Sequence, residues 1–209
     1  TTGVKSLKDA AKAKKPIIFG ASGVSQSNYI VPTVMGKLLG LNVKVVAGYP
    51  GTAAINKALE QGEVTGRAGA WSSWISKAGH WIKSGQVVAI AQSGLEKSGD
   101  IKNGYGQATP LLLDLAKNDD ERAILKLFAS DAAVGRNFSM PPGVPKARVK
   151  AMCRAFDATM TDKAFLADAK KRKLIIEPKP CEWLSKTAAE IVATPKPLVK
   201  KARALLGWK

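Results

Sequence analysis

Apolar positions in the first 91 residues come in short runs, and the stretches between them repeat their apolar residues at helical spacing. The runs at 17–19 (Ile-Ile-Phe, ending at Gly20), 43–47, 64–70 and 87–91 (Val-Val-Ala-Ile-Ala) read as strands. Between and before them, the spacing predicts helices over 5–14, 28–39, 52–61 and 72–83. In the second of these Ile30, Val34 and Leu38 share a face and Gly40 supplies the stop; Gly62 stops the third. Strands separated by helices of this length build βαβ units, so the expectation is an α/β fold with a mostly parallel sheet covered on both faces.

Beyond residue 91 the texture changes. Segment 92–109 is rich in Gly, Ser, Lys and Asn and reads as a surface loop, followed by helices near 110–117 and 119–130. An extended piece at 136–140 meets the rigid turn Pro141-Pro142-Gly143-Val144-Pro145, and Pro145 opens a long helix over 146–160. Asp162 caps a helix over 163–172, Leu174-Ile175-Ile176 reads as a strand, and two basic helices finish the chain. Two units follow from this: 1–133, carrying the parallel sheet, and 134–209, with one or two short strands against four helices. The second offers only a marginal core. It is expected either to pack on the first or to complete a lobe whose other half is supplied elsewhere, by a missing N-terminal segment or a second copy.

Composition narrows the function classes. Thirty-three Lys and Arg against sixteen Asp and Glu give a net charge of +17, with a surplus of 6 over 1–133 and 11 over 134–209. Such a field draws anions of any kind, from carboxylates to nucleic acid. No nucleic-acid reading motif accompanies it, so a basic nucleic-acid-binding module is the alternative and not the leading expectation. No run of about 18 apolar residues is present to span a membrane. The opening Thr1-Thr2-Gly3-Val4-Lys5 has no apolar region behind it, so export would require a leader that this sequence does not show. Cys153 and Cys181 make neither a disulfide framework nor a metal site, and Cys153, among Met152, Phe156 and Met160, reads as a buried structural thiol. With His80 the only histidine, neither a zinc site nor any other metal or cofactor is expected.

Candidate chemistry lies where strands pass into helices, since an open α/β sheet binds ligands outside the carboxyl ends of its strands. The loop from Gly20 to Asn28 carries Ser22, Gly23, Ser25 and Asn28; the next junction carries Tyr49, Gly51, Thr52 and Ala53. Small residues, hydroxyls and free N–H groups at a helix start suit a carboxylate or phosphate, although Ser22, Ser25, Thr52 and Asn28 serve equally well as helix caps. Neither loop fits the P-loop or the full dinucleotide fingerprint. At the third strand end, Arg67 shares a face with Thr65 and Gly69, placing a guanidinium where it grips a carboxylate with two bonds or sits on a solvated sheet edge. Trp71 stands beside it as a candidate contact, whereas the helical spacing of Trp74 and Trp81 points to core packing. A hydrolase is disfavoured: Gly23 directly follows Ser22, so Gly-x-Ser-x-Gly is not met, and His80 lies mid-helix.

These runs resemble a known family. Phe19-Gly20-Ala21-Ser22-Gly23-Val24 through Ser27-Asn28 is similar to the Tyr-Gly-Ser-Ser-Gly-x-Gly-Ser-x-x-His loop of the Bug receptors, the solute-binding proteins of tripartite tricarboxylate transporters. Tyr49-Pro50-Gly51-Thr52-Ala53 through Leu59, Gly62 and Val64 resembles their Tyr-x-Gly-x-x-Pro-Ala stretch. Pro141 to Pro145 resembles their Pro-Ala-Gly-Thr-Pro turn, and Asp162-Lys163-Ala164-Phe165 their Asp-Pro-x-Phe. The resemblance implies a periplasmic-binding-protein-like (Venus flytrap) fold, with the second lobe complete over 1–133 and the first partial over 134–209. It also implies a periplasmic, non-enzymatic receptor that holds a small carboxylate and docks on the membrane subunits of such a transporter. Ser22, Gly23, Ser25, Asn28, Gly51, Thr52 and Ala53 become its ligand loops. Tyr29 stands where the family has histidine, Thr65 where it has aspartate, and Gly69-Ala70 where it has Asp-Asn.

Overall fold

The computed structural model describes residues 2–102, 108–172 and 174–208. After a short helix α1 (Leu7–Ala11), three parallel strands, β1 (Ile17–Ala21), β2 (Val43–Ala47) and β3 (Gly66–Arg67), form one sheet in the order β2-β1-β3. They are linked by α2 (Ser27–Leu39) and α3 (Thr52–Glu60), and α4 (Trp71–Lys83) follows β3. Central β1 explains the layering. Its side chains alternate between faces. Ile17, Phe19 and Ala21 are buried, the first two in the apolar cluster that holds Val34 and Met35 of α2. On the other face Gly20 meets α3: a Cβ there would come within 2.9 Å of the Ile55 side chain. The result is an α/β architecture, a parallel sheet flanked by helices.

Two predicted strands are absent and one is shortened. β3 keeps only two residues of the 64–70 run, because Thr65 replaces part of the ladder with its side chain: Ile18 N–H donates to Thr65 Oγ1 at 2.9 Å. The run 87–91 forms no strand. Its neighbour Gln92 pairs instead with the 110–112 segment, donating from N–H to the Pro110 carbonyl at 2.8 Å, and β3 is too short to present an edge. Leu174-Ile175-Ile176 forms no strand either; Leu174 and Ile175 are exposed and no strand lies beside them among the described residues. The helix expected near 110–117 is a single 3₁₀ turn, Leu112–Leu115. Of the loop 92–109, residues 103–107 lie outside the described residues.

The elements that follow are helices: α5 (Asp119–Val134), α6 (Lys146–Thr161), α7 (Lys163–Lys171), α8 (Cys181–Val192) and α9 (Lys196–Leu206). Asn118 caps α5 by accepting from Glu121 N–H at 2.9 Å, and Asp162 caps α7 by accepting from Phe165 N–H at 2.7 Å. Leu206 of α9 and, partly buried, Trp208 join the core beside α2, so the C-terminal helices pack on the sheet-bearing part. The pair α6–α7 does not. No residue of α6 is buried, and Phe138, Met140, Val149, Met152 and Leu166 stand exposed on or before these helices. The expectation of a free, buried thiol at Cys153 is corrected: Cys153 is only half-buried and forms a disulfide with Cys181, Cα–Cα 6.0 Å, tying α6 to α8. Sequence separation hid this pairing, since the two cysteines stand 28 positions apart with α7 between them.

Candidate functional site

All three strands are parallel, so their carboxyl ends share one edge. The chain goes outward from β1 to β2 and then returns past β1 to β3. In such a sheet the helices leave to opposite faces on either side of that turnaround, opening a crevice between β1 and β3. The loops are drawn together there: Gly48 and Tyr49 both donate their N–H to the Ala21 carbonyl, at 3.1 and 3.2 Å, which sets the start of α3 beside the start of α2.

Three helices begin at this edge, and none has a side-chain cap. The residues ahead of α2, α3 and α4 are Gln26, Gly51 and Ala70. Uncapped helix starts leave backbone N–H groups directed outward, where the helix dipole favours negative charge. Gly51 lies at φ +156°, in a region that glycine alone adopts readily, and a Cβ there would meet no atom within 4 Å. The backbone is therefore open to an approaching group at this point.

The sequence-predicted residues divide into three sets. Ser22 and Asn28 are brought together but bind each other: Ser22 N–H donates to Asn28 Oδ1 at 3.3 Å, and Asn28 Nδ2 donates to Ser22 Oγ at 3.1 Å. They fix the loop's shape. Gly23 accepts from Gln26 N–H to close the turn, and Ser25 is exposed beside it. Tyr49 is committed elsewhere through its hydroxyl, which donates to Glu63 Oε1 at 2.5 Å; that bond to a carboxylate raises its pKa. Its ring lies against Gly20, with Cε2 3.3 Å from where a Cβ would stand. Thr52 and Ala53, in the first turn of α3, and Trp71, half-buried at the start of α4, line the same edge.

Arg67 is the exceptional residue. It pairs in register with Gly20 at the crevice and is only 7% exposed, which excludes the solvated-edge reading. Its guanidinium lies 3.8 Å from the ring centroid of Trp74, and desolvation lowers its pKa to about 10, so it is cationic at neutral pH. Nε and Nη2 are buried without a hydrogen-bond partner among the described residues. A buried donor left unmade costs about 1–3 kcal/mol, and more when charged. A desolvated cation–π contact returns only about 2 kcal/mol. Nε and Nη2 form the side-on edge of the guanidinium, where two parallel N–H groups match the two oxygens of a carboxylate.

Trp74 is the contact that sequence reasoning missed. Its spacing from Trp71 signalled a helix face and hence core packing, and it is buried; the extra signal was its place in the first turn after a strand-end arginine. A cavity of about 220 Å³ lies elsewhere, between α5, α8 and the 95–96 loop, lined by Trp183 and by the Lys126–Glu190 ion pair. Glu96, also on its rim, is paired with Lys179, and Lys186 completes the lining. Among the described residues, no cluster of His, Cys, Asp or Glu is arranged to hold a metal, and no helix is long and apolar enough to cross a membrane.

No protein-family model matches this sequence, and no curated protein does. Among solved structures, the fold matches R. palustris Rpa4515 with adipate, at a TM-score of 0.56 and 15% identity over 99% of this chain. The chain spans 62% of the length of that one. At this identity the likeness establishes the fold: a parallel sheet flanked by helices, arranged as in that protein.

Proposed function

We propose that this chain is an extracytoplasmic solute-binding receptor that captures a small carboxylate at the β1–β3 crevice, for a transporter of the tripartite tricarboxylate type. The observation that carries the reading is Arg67, a buried cation with two nitrogens that are unpaired among the described residues, at the carboxyl edge of the sheet. At the same edge begin three helices without side-chain caps, with Gly51, Thr52 and Ala53 at one of them. The Ser22–Asn28 pair holds the first loop in shape, and Trp71 forms part of the wall.

Other features agree with this reading. The neighbour of similar fold was solved with adipate, a dicarboxylate. The Cys153–Cys181 disulfide suits an oxidising compartment such as the periplasm. The family resemblance carried by residues 19–28, 49–64, 141–145 and 162–165 supplies the transporter assignment. In this reading 1–133 is the ligand-binding lobe, and 134–209 is the return segment of a second, partial lobe. The exposed apolar residues of α6 and α7 are where the rest of that lobe would pack. No step of bond making or breaking is assigned: Ser22 is bound to Asn28, and His80 is exposed against Trp81 on α4.

Isothermal calorimetry against a panel of mono- and dicarboxylates tests the proposal. Saturable binding of at least one carboxylate is expected, with little dependence on DNA as competitor. Binding only to nucleic acid, with an affinity falling steeply with salt, would instead favour the basic-module alternative.

A further inference from the structure

We propose that the cavity between α5, α8 and the 95–96 loop is a second ligand site, which takes a small aromatic carboxylate: Trp183 packs against the ring and Lys186 supplies the counter-ion. The proposal does not rest on the crevice at Arg67. Size comes first. The cavity holds about 220 Å³, with apolar surface from Leu95 and Leu113 and an aromatic wall from Trp183. An apolar cavity of about 150 Å³ binds benzene, so this one has room for a six-membered ring and its carboxylate. Its walls are also held in place by contacts within the chain. The 95–96 loop is tied down by buried Gln92, whose Oε1 accepts from Ser98 N–H at 2.9 Å while Nε2 donates to the Thr109 carbonyl at 2.8 Å. On α8, Trp183, Lys186, Thr187 and Glu190 follow helical spacing and all line the cavity. Lys126 of α5 bonds Glu190 at 3.1 Å, which fixes one helix against the other.

Charge selects the sign of the ligand. Each carboxylate of the lining already has an ammonium partner: Glu190 has Lys126, and Glu96 has Lys179 at 3.4 Å. Lys186 has no ion-pair partner among the described residues. A cationic ligand would have to take a carboxylate from its lysine, whereas an anion meets Lys186 without breaking a pair. The tryptophan selects the body of the ligand. Lys179 Nζ lies 5.3 Å from the Trp183 ring centroid, and the same ring lines the cavity, where a second ring packs offset or edge-on. Such an aromatic pair adds about two- to tenfold in affinity beyond the area it buries, a gain that a saturated acid forgoes. Lys186 is exposed, so its contact with the carboxylate is worth no more than about fivefold.

The test is nuclear magnetic resonance on the full chain, following the Trp183 indole N–H, assigned with Trp183→Phe, during titration with sodium benzoate. Benzamide serves as the uncharged counterpart and cyclohexanecarboxylate as the saturated one. Benzoate is expected to shift the Trp183 signal saturably and to bind about two- to fivefold more tightly than benzamide, a preference that Lys186→Gln removes. Cyclohexanecarboxylate should bind about two- to tenfold more weakly than benzoate. Arg67→Ala should leave the Trp183 titration unchanged, which separates this site from the crevice. A Trp183 signal that benzoate does not move up to its solubility limit would overturn the site. A shift that vanishes in Arg67→Ala would place the benzoate at the crevice and overturn it equally. Equal affinity for benzoate and benzamide, or for benzoate and the saturated acid, would overturn the ligand class assigned. The three ligands are compared in the wild-type chain, so the class is tested even where a variant folds poorly.

Discussion

At the scale of single residues, the chain departs most from ordinary packing at Arg67. Sequence placed the guanidinium at a strand end and left open whether it was solvated; burial and the missing partners decide that point. What sequence did not disclose was the stacking partner, because a tryptophan at helical spacing carries the same signature whether it meets core or cation. Arg67→Ala is expected to weaken carboxylate binding by more than the tenfold equivalent to about 1.4 kcal/mol, read by calorimetry. Gly51→Leu is expected to abolish it, since a side chain at φ +156° strains the loop and occupies the approach to the start of α3. The pH dependence follows from the lowered pKa. A base whose folded pKa falls from the ordinary arginine value to about 10 binds fewer protons folded than unfolded between the two. The buried charge therefore weakens the fold at neutral pH, and that penalty is relieved as pH rises through 10. Carboxylate affinity runs the opposite way. It should stay level between pH 6 and roughly 9, where Arg67 remains charged, and fall as pH passes about 10. An affinity that drops already between pH 6 and 8 would assign the site's charge to another group.

At the scale of elements, β1, α2, β2 and α3 were legible to within about one residue, because apolar runs, helical spacing and glycine stops agree there. The strands at 87–91 and 174–176 were not. Both are apolar and short, and such runs become strands only when an edge is available to pair with; β3, cut to two residues by Thr65, offers none. Gly20 marks the closest approach of helix to sheet. Gly20→Val would drive a side chain into Ile55, already 2.9 Å from a bare Cβ, and should destabilise the fold by about 1–3 kcal/mol in urea unfolding. Removing the α5 cap with Asn118→Ala should cost about 0.5–2 kcal/mol by the same measurement. The disulfide acts on the least-packed element. Since α6 buries no residue, reducing Cys153–Cys181 should release α6 and α7 to proteolysis while the sheet, which shares no residue with them, stays protected. Cleavage spread evenly along the reduced chain would contradict that.

At the scale of the whole molecule, two characters sit side by side: a sheet-bearing part with a donor-rich edge, and an α6–α7 arm that leaves Val149, Met152 and Leu166 facing solvent. The charge field of +17 surrounds both and steers anions without selecting among them. Selection is assigned to the crevice, where helix starts each contribute about 0.3–1 kcal/mol, rising to roughly 2 when partly buried. With a bidentate arginine these sums reach the 4 kcal/mol of a millimolar complex more readily than the 8 kcal/mol of a micromolar one. An enclosing second lobe would supply the difference, so a longer form carrying one should bind more tightly than this chain. The central claim is that Arg67 receives a carboxylate, and paired calorimetric titrations of wild type and Arg67→Ala with mono- and dicarboxylates test it most directly. The account predicts saturable wild-type binding of at least one carboxylate and a loss of more than tenfold in the variant; equal affinity in both proteins would contradict it.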